Sequence, residues 1–340
     1  MQAFELKQNI QFFQSSRDRG LKIVMASLVG LEGSSYRKPG VRMLIAEDHS
    51  MCGALSGGCV EKDIVESAQT VFKTGVSKVI SYDGRYRLGC EGFLYILIEP
   101  FMPSEKDATS ILAQIDQRNP IVVKSVYKEG TSITGNYHST FFLKSEQTPI
   151  AINTLKHSET STFTYFKQTI SPAHQLVIIG AEHDTGPVCT NAALLGWDVS
   201  IISSLKNPKS AQHFPTAKNV LAETPETVNF DFIDPYTSVL IMTHNYAQDL
   251  KYLLKLKAYS LSYVGVLGSK KRKARLESDL LEHDSEWDAS FFERLYSPAG
   301  IHIGAVTPQE IAVSIISEIL QVTRTQKTTK TSSFSKPFIS

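Results

Sequence analysis

The sequence has little cysteine, no excess of charge of either sign, and no long apolar run. Four cysteines in 340 residues (Cys52, Cys59, Cys90 and Cys189) are too sparse for a disulfide framework. Cys52, Cys59 and Cys90 make no C-x-x-C pair of the kind zinc sites use. Lys and Arg total 35 against 34 Asp and Glu, so there is no electrostatic footprint for nucleic acid or for an anionic membrane surface. No uninterrupted apolar stretch is long enough to span a bilayer. The first residues, MQAFELKQNIQFFQ, lack the basic-then-apolar order of a secretory leader. A cytoplasmic location is the expectation that follows.

What is present is enough apolar material for more than one core. Hydrophobic residues make up 42% of a chain longer than a single core usually serves, which predicts two domains. Residues 3–18 carry apolar positions at helical spacing, and the runs at 21–30 and 41–48 read as buried strands. Val60, Ile64, Ala68 and Phe72 stand four apart and predict a helix after the glycines at 57 and 58. KVISYD and LYILIEP read as strands, 104–118 as a helix, and IVVKSVY and STFFLK as a small antiparallel extension. From His174 onward short apolar strands alternate with helices, the pattern of a parallel sheet covered on both faces. The expected fold is therefore α/β: an N-terminal α/β domain over 1–165, a Rossmann-like doubly wound parallel sheet over 166–325, and a disordered Ser/Thr/Lys-rich tail over 326–340.

Five segments could carry chemistry. Gly33, Ser34, Ser35, Arg37 and Gly40 lie between two strands and combine hydroxyl donors, a guanidinium and open backbone, which suits an anionic ligand. The same residues also suit a plain hairpin loop. Gly57, Gly58, Cys59 and Glu61 stand at a strand-to-helix junction. There successive N–H groups favour negative charge and a thiol would be acidified; a tight turn with a buried Cys fits equally well. Cys90 sits between glycines ahead of the strand LYILIEP. Gly180-Ala181-Glu182-His183-Asp184-Thr185 stands where a dinucleotide fingerprint would, but Glu182 replaces the glycine that lets backbone approach a pyrophosphate. The next strand ends in Ser203 where an acid would hold a ribose hydroxyl. Thr243 and His244, with Gly268, Ser269 and Lys270, fall at the expected carboxyl ends of later strands, where ligands of open α/β sheets bind. The basic start at Lys270 could clamp a phosphate or be a solvated helix end.

Together these segments resemble a known family. LVGLEGSSYRKPGVRMLI, LSGGCVEKDI and GCEGFLYILIEP resemble the N-terminal domain of the XdhC/CoxI family. HQLVIIGAEHDTGPV, HFPTAKNV, VLIMTHNYAQD, VGVLGSKKRKARL and SPAGIHIGAVTPQEIAVSIISEIL resemble its Rossmann domain, in the same order, so the likeness covers roughly residues 10–322. The resemblance implies an accessory protein rather than a hydroxylase. Such a protein binds molybdenum cofactor (molybdopterin), assists its sulfuration and delivers it to a xanthine dehydrogenase-type apoenzyme, with a sulfur donor protein as second partner and a homodimer as assembly. Gly33, Ser34, Ser35, Arg37, Gly40, Gly57, Gly58, Cys59, Glu61 and Cys90 would then form the cofactor site. Gly180, His183, Thr243, His244, Gly268, Ser269 and Lys270 would contribute from the second domain. Cys59 and Cys90 would meet molybdenum or its sulfur, since thiolates suit soft metal centres. NAD or NADP binding is disfavoured by Glu182 and Ser203. The competing readings are an NAD(P)-dependent oxidoreductase acting on a small molecule and a nucleotide-sensing regulatory module. Joint replacement of Cys59 and Cys90 by Ala is expected to weaken cofactor retention; unchanged retention removes both from the site.

Overall fold

In a computed structural model the chain divides between Pro172 and Ala173 into two units. The structure describes residues 1–35, 37–56, 58, 60–84, 92–144, 149–153, 163–284, 287 and 289–328. In the first unit α1 (Ala3–Asp18) precedes β1 (Ile23–Gly33), β2 (Arg42–Ala46), β3 (Met51–Cys52), α2 (Glu61–Thr74), β4 (Ser77–Asp83) and β5 (Gly92–Pro100). There follow α3 (Glu105–Asp116), β6 (Ile121–Tyr127), β7 (Ile133–Gly135), β8 (His138–Leu143), β9 (Ile150–Ala151) and β10 (Thr164–Ile170). The strands form two antiparallel sheets, ordered β3-β2-β1-β5-β4-β7 and β10-β6-β8-β9. Residues 164–170, which straddle the expected boundary at 165/166, form β10, an edge strand that pairs with β6 as far as Ile170↔Ile121.

Strand periodicity sorts the residues of the larger sheet. Val24, Ala26 and Leu28 of β1, with Met43, Ile45, Ile96 and Ile98, form one apolar face. It is covered by the Ile64, Ala68, Val71 and Phe72 face of α2. The opposite face carries Met25, Ser27, Arg42 and Glu99, because Ser27 pairs with Arg42 and Met25 with Glu99. Glu99 is fully buried and reaches the smaller sheet, accepting from Ser139 N at 2.8 Å, Ser139 Oγ at 2.6 Å and Asn153 Nδ2 at 3.1 Å. Arg42, 3% exposed, donates to the Gly40 carbonyl at 3.1 Å and to Gln168 of β10. A charged layer thus lies between the two sheets. Burial, opposed by the hydrogen bonds from Ser139, lifts the Glu99 carboxyl from 4.5 to about 7. Burial also lowers Arg42 to about 10, against the attraction of Glu99.

The second unit contains β11 (Gln175–Ile179), α4 (Thr185–Leu194), β12 (Asp198–Ser203), β13 (Asn219–Ala222), β14 (Thr237–Ile241) and α5 (Tyr246–Leu256). It continues through β15 (Tyr263–Val266), α6 (Lys270–His283), α7 (Ala289–Glu293), β16 (Leu295–Tyr296) and α8 (Pro308–Thr328). All strand pairs are parallel and the order is β13-β12-β11-β14-β15-β16. Strands buried on both faces favour near-continuous apolar residues, and β11, β14 and β15 are buried throughout. Leu176 and Ile178 pack with α4 and α8, while Val177 and Ile179 pack with α5 and α6. This is the doubly wound sheet expected from the alternating pattern, with its topological switch between β11 and β14. Helix α8 continues through Thr328; the remainder of the expected tail lies outside the described residues. No helix among the described residues is long and apolar enough to cross a membrane.

The raised Glu99 carboxyl fixes a pH dependence. A group whose folded pKa lies above its unfolded value contributes stability that is complete below about 4.5 and is lost as pH rises through about 7. The shift corresponds to about 3 kcal/mol between those limits. The first unit is expected to lose melting temperature from pH 5 to pH 8, and Glu99→Gln to flatten that slope. Thermal melts across this range check it; an unchanged slope in the variant contradicts it.

Candidate functional site

The loop after β3 and the start of α2 form one connected structure. Gly58 has φ +112, a left-handed conformation that favours glycine, and a Cβ there would meet nothing within 4 Å. Its backbone is open on that side. The Glu61 carboxylate, in the first turn of α2, accepts from Leu55 N at 3.0 Å, Ser56 N at 2.5 Å, Ser56 Oγ at 2.6 Å and Gly58 N at 2.9 Å. Sequence reasoning left these amides for a ligand; the chain's own acid takes them. Burial pushes the Glu61 carboxyl up, but the Ser56 hydroxyl and the surrounding N–H groups outweigh it. The group stays below 4.5, ionised at neutral pH.

A pocket of about 540 Å³ opens beside this turn. Met51 and Val65 give it apolar wall, Ser56, Gly58 and Glu61 its turn side, and Lys62 and His49 its nitrogen groups. Cys52 is half-buried and burial raises its thiol, which keeps it protonated. Gly57, Cys59 and Cys90 lie outside the described residues.

The 33–40 loop arises from the same apolar cluster. Leu31 and Val41, which bracket it, pack on the cluster that holds Leu55 and Val60. Gly33 (φ +81) pairs with Gly92 at the start of β5, and a Cβ on Gly92 would lie 2.5 Å from the Ser34 carbonyl. Gly33 and Ser34 are thereby brought beside the segment that Cys90 precedes in sequence. Ser34 is exposed, and Ser35 and Arg37 are half-buried. Gly40 has a different role from the one expected. It is buried, its N–H donates to the Leu28 carbonyl at 2.8 Å, and a Cβ would sit 2.4 Å from Gln168 Nε2. Gly40 is a packing residue between β2 and β10, with no open side for a ligand.

In the second unit the candidates gather at the carboxyl ends of β11, β14 and β15. His244 stands at φ +56, and its Nε2 lies 3.7 Å from Asp184 Oδ2, joining the turns after β14 and β11 at the switch point. His183 and Glu182 beside them are exposed. Thr243 Oγ1 donates to Asp249 at 2.5 Å, and Asp249, 1% exposed, is paired with Arg272. This Thr243–Asp249–Arg272 chain was missed in the sequence, where Asp249 reads as an ordinary polar position of α5. Ser269 caps α6 by accepting from Arg272 N at 3.3 Å, and Lys270 is exposed. A Cβ on Gly268 would stand 2.3 Å from Arg272 Cδ. Ser203 is buried, donates to the Leu221 carbonyl at 3.1 Å and accepts from Lys209 N at 3.2 Å, so its hydroxyl is committed to backbone. Gly180 (φ +124) lets β11 pass the end of β14: a Cβ would lie 2.3 Å from the Met242 carbonyl.

An antiparallel α/β unit with a glycine-turn pocket, followed by a Rossmann-type unit with a broken dinucleotide turn, defines a class of two-domain protein. Residues 16–83 match the XdhC and CoxI family and residues 176–319 the XdhC Rossmann domain. The chain is 30% identical over 314 residues to a protein of Bacillus subtilis described as a probable subunit of xanthine dehydrogenase, spanning 88% of this chain and 92% of that protein. It therefore belongs to the XdhC and CoxI family. It is 22% identical over 308 residues to the molybdenum cofactor insertion chaperone PaoD of Escherichia coli, spanning 89% of this chain and 84% of that one. A crystal structure described as a xanthine dehydrogenase from Bacillus halodurans superposes with a TM-score of 0.77 at 28% identity, covering 97% of this chain and 98% of that chain.

Gly180→Ala is expected to destabilise the second unit by about 2 kcal/mol or more, since it adds both a strained φ and a clash with backbone. Gly58→Ala meets only the strain and is expected to lower stability less. Denaturant melts of the two variants give the comparison; equal losses contradict the distinction.

Proposed function

We propose that this protein is an accessory factor that binds molybdenum cofactor in the pocket beside Gly58 and delivers it to a molybdenum hydroxylase of the xanthine dehydrogenase type. Family membership and relatives named for xanthine dehydrogenase and for cofactor insertion support a maturation role. The observation that carries the site is the pocket of about 540 Å³ against a glycine turn with open backbone. That volume lies within the usual range for small-molecule sites. The cargo is a flat pterin with a phosphate and a dithiolene-held metal. Met51 and Val65 offer apolar contact to a ring, Lys62 a cation for negative charge, and Ser56 a hydroxyl. Cys59, next in sequence to Gly58, would bring a sulfur ligand, with Cys90 as the second. The chain's part is to hold, orient and shield; the client enzyme carries out the redox chemistry. An apoenzyme and a sulfur donor are the partners of this reading, and a homodimer its assembly. In the second unit, the committed hydroxyl of Ser203 and the exposed carboxylate of Glu182 disfavour a dinucleotide.

The test is the small-molecule content of the full chain purified from a molybdate-fed host. Oxidised-pterin fluorescence near one equivalent, with no nicotinamide-dependent turnover, is the expected result. Protein free of pterin that turns over NADPH replaces this reading with an oxidoreductase.

A further inference from the structure

The Gly-rich start of α2 has the form of an anion site, yet its donors are already filled. Three backbone N–H groups and the Ser56 hydroxyl converge on Glu61, which is 8% exposed. Converging backbone amides in a loop that leads into a helix attract phosphate, sulfate and similar tetrahedral anions. Free phosphate is abundant in cells, so an open nest beside the pocket would be occupied before any scarce cargo arrived. A carboxylate built into the chain removes that competition: it satisfies the donors and adds a negative charge that repels a second anion. Exclusion of the wrong ligand is a recognised route to specificity.

We propose that Glu61 is a specificity-determining residue of the pocket: its carboxylate acts as a resident anion that denies the turn to free oxyanions and reserves the pocket for the cofactor. This rests on the cargo reading given above. It has two consequences. The negative end of the cargo is met by side-chain cations such as Lys62 and not by the Leu55, Ser56 and Gly58 amides. The backbone on both sides of residue 59 is held in one shape before cargo arrives, because Gly58 N bonds Glu61 and Val60 N lies 3.4 Å from Ser56 Oγ.

The experiment compares the full-length wild type with Glu61→Ala and Glu61→Gln in phosphate, molybdate and acetate. Glu61→Ala leaves a carboxylate-sized gap; Glu61→Gln keeps the volume and removes the charge. Binding of phosphate or molybdate by the variants, seen as a rise in melting temperature that the wild type does not show, is the expected result. Pterin retention is expected to fall about tenfold in Glu61→Ala, to recover in acetate, which mimics the lost group, and not in phosphate. Equal anion responses in wild type and variants overturn the proposal, and so does undiminished pterin retention in Glu61→Ala. The wild type also decides alone if neither variant folds: phosphate that shifts the Gly58 amide resonance overturns the proposal, and an unmoved resonance supports it. Wild-type protein that never carries pterin defeats the cargo reading, while the anion comparison still judges Glu61.

Discussion

The Glu61 carboxylate is the constraint on which the pocket wall of the first unit depends. A glycine-containing loop ahead of a helix has high chain entropy and N–H groups outside the helix ladder that need partners. Left to itself such a turn would have no single shape. One buried acid in the first turn of α2 gathers Leu55, Ser56 and Gly58 onto one point and gives the turn a fixed form. The apolar side of the same helix, from Ile64 to Phe72, anchors it to the sheet. The pocket wall is thus held by a hydrogen-bonded centre on one side and a hydrophobic face on the other.

Glycine serves opposite ends in this chain. Gly58 keeps a left-handed backbone with empty space where a side chain would be, so it leaves a surface open. Gly180, Gly268 and Gly40 are glycine because something already fills the space: the Met242 carbonyl, Arg272 and Gln168. The fingerprint glycine Gly180 is thus required by strand packing. Its neighbours Glu182 and Asp184 place carboxylates at the switch point, with His244 Nε2 3.7 Å from Asp184 Oδ2.

Much of this was legible in the sequence. Near-continuous apolar runs marked β11, β14 and β15, since a strand covered on both faces has no solvent side. Four-residue spacing marked α2, and the alternation of strands and helices gave the doubly wound unit. Other features were hidden for physical reasons. β10 alternates exposed and half-buried residues, and its Thr, Lys and Gln leave no apolar alternation to mark a strand. Arg42 and Glu99 sit in runs that read as plain core strands, and only the register of β2, β1 and β5 puts them on one face. Asp249 gains its importance from Arg272, on a different helix, a contact no local pattern encodes. The glycine turns were found as candidates, but the occupant of their amides was not. Glu61 was read as a possible ligand contact, whereas its bonds run inward to Ser56 and Gly58.

A structure of the cofactor-loaded protein tests the central claim most directly. The account requires the pterin to lie in the pocket against Met51, Val65 and Lys62, with Glu61 still accepting from Ser56 and Gly58. A cofactor phosphate seated on those amides with Glu61 swung away, or a cofactor bound only in the Rossmann unit, would contradict it.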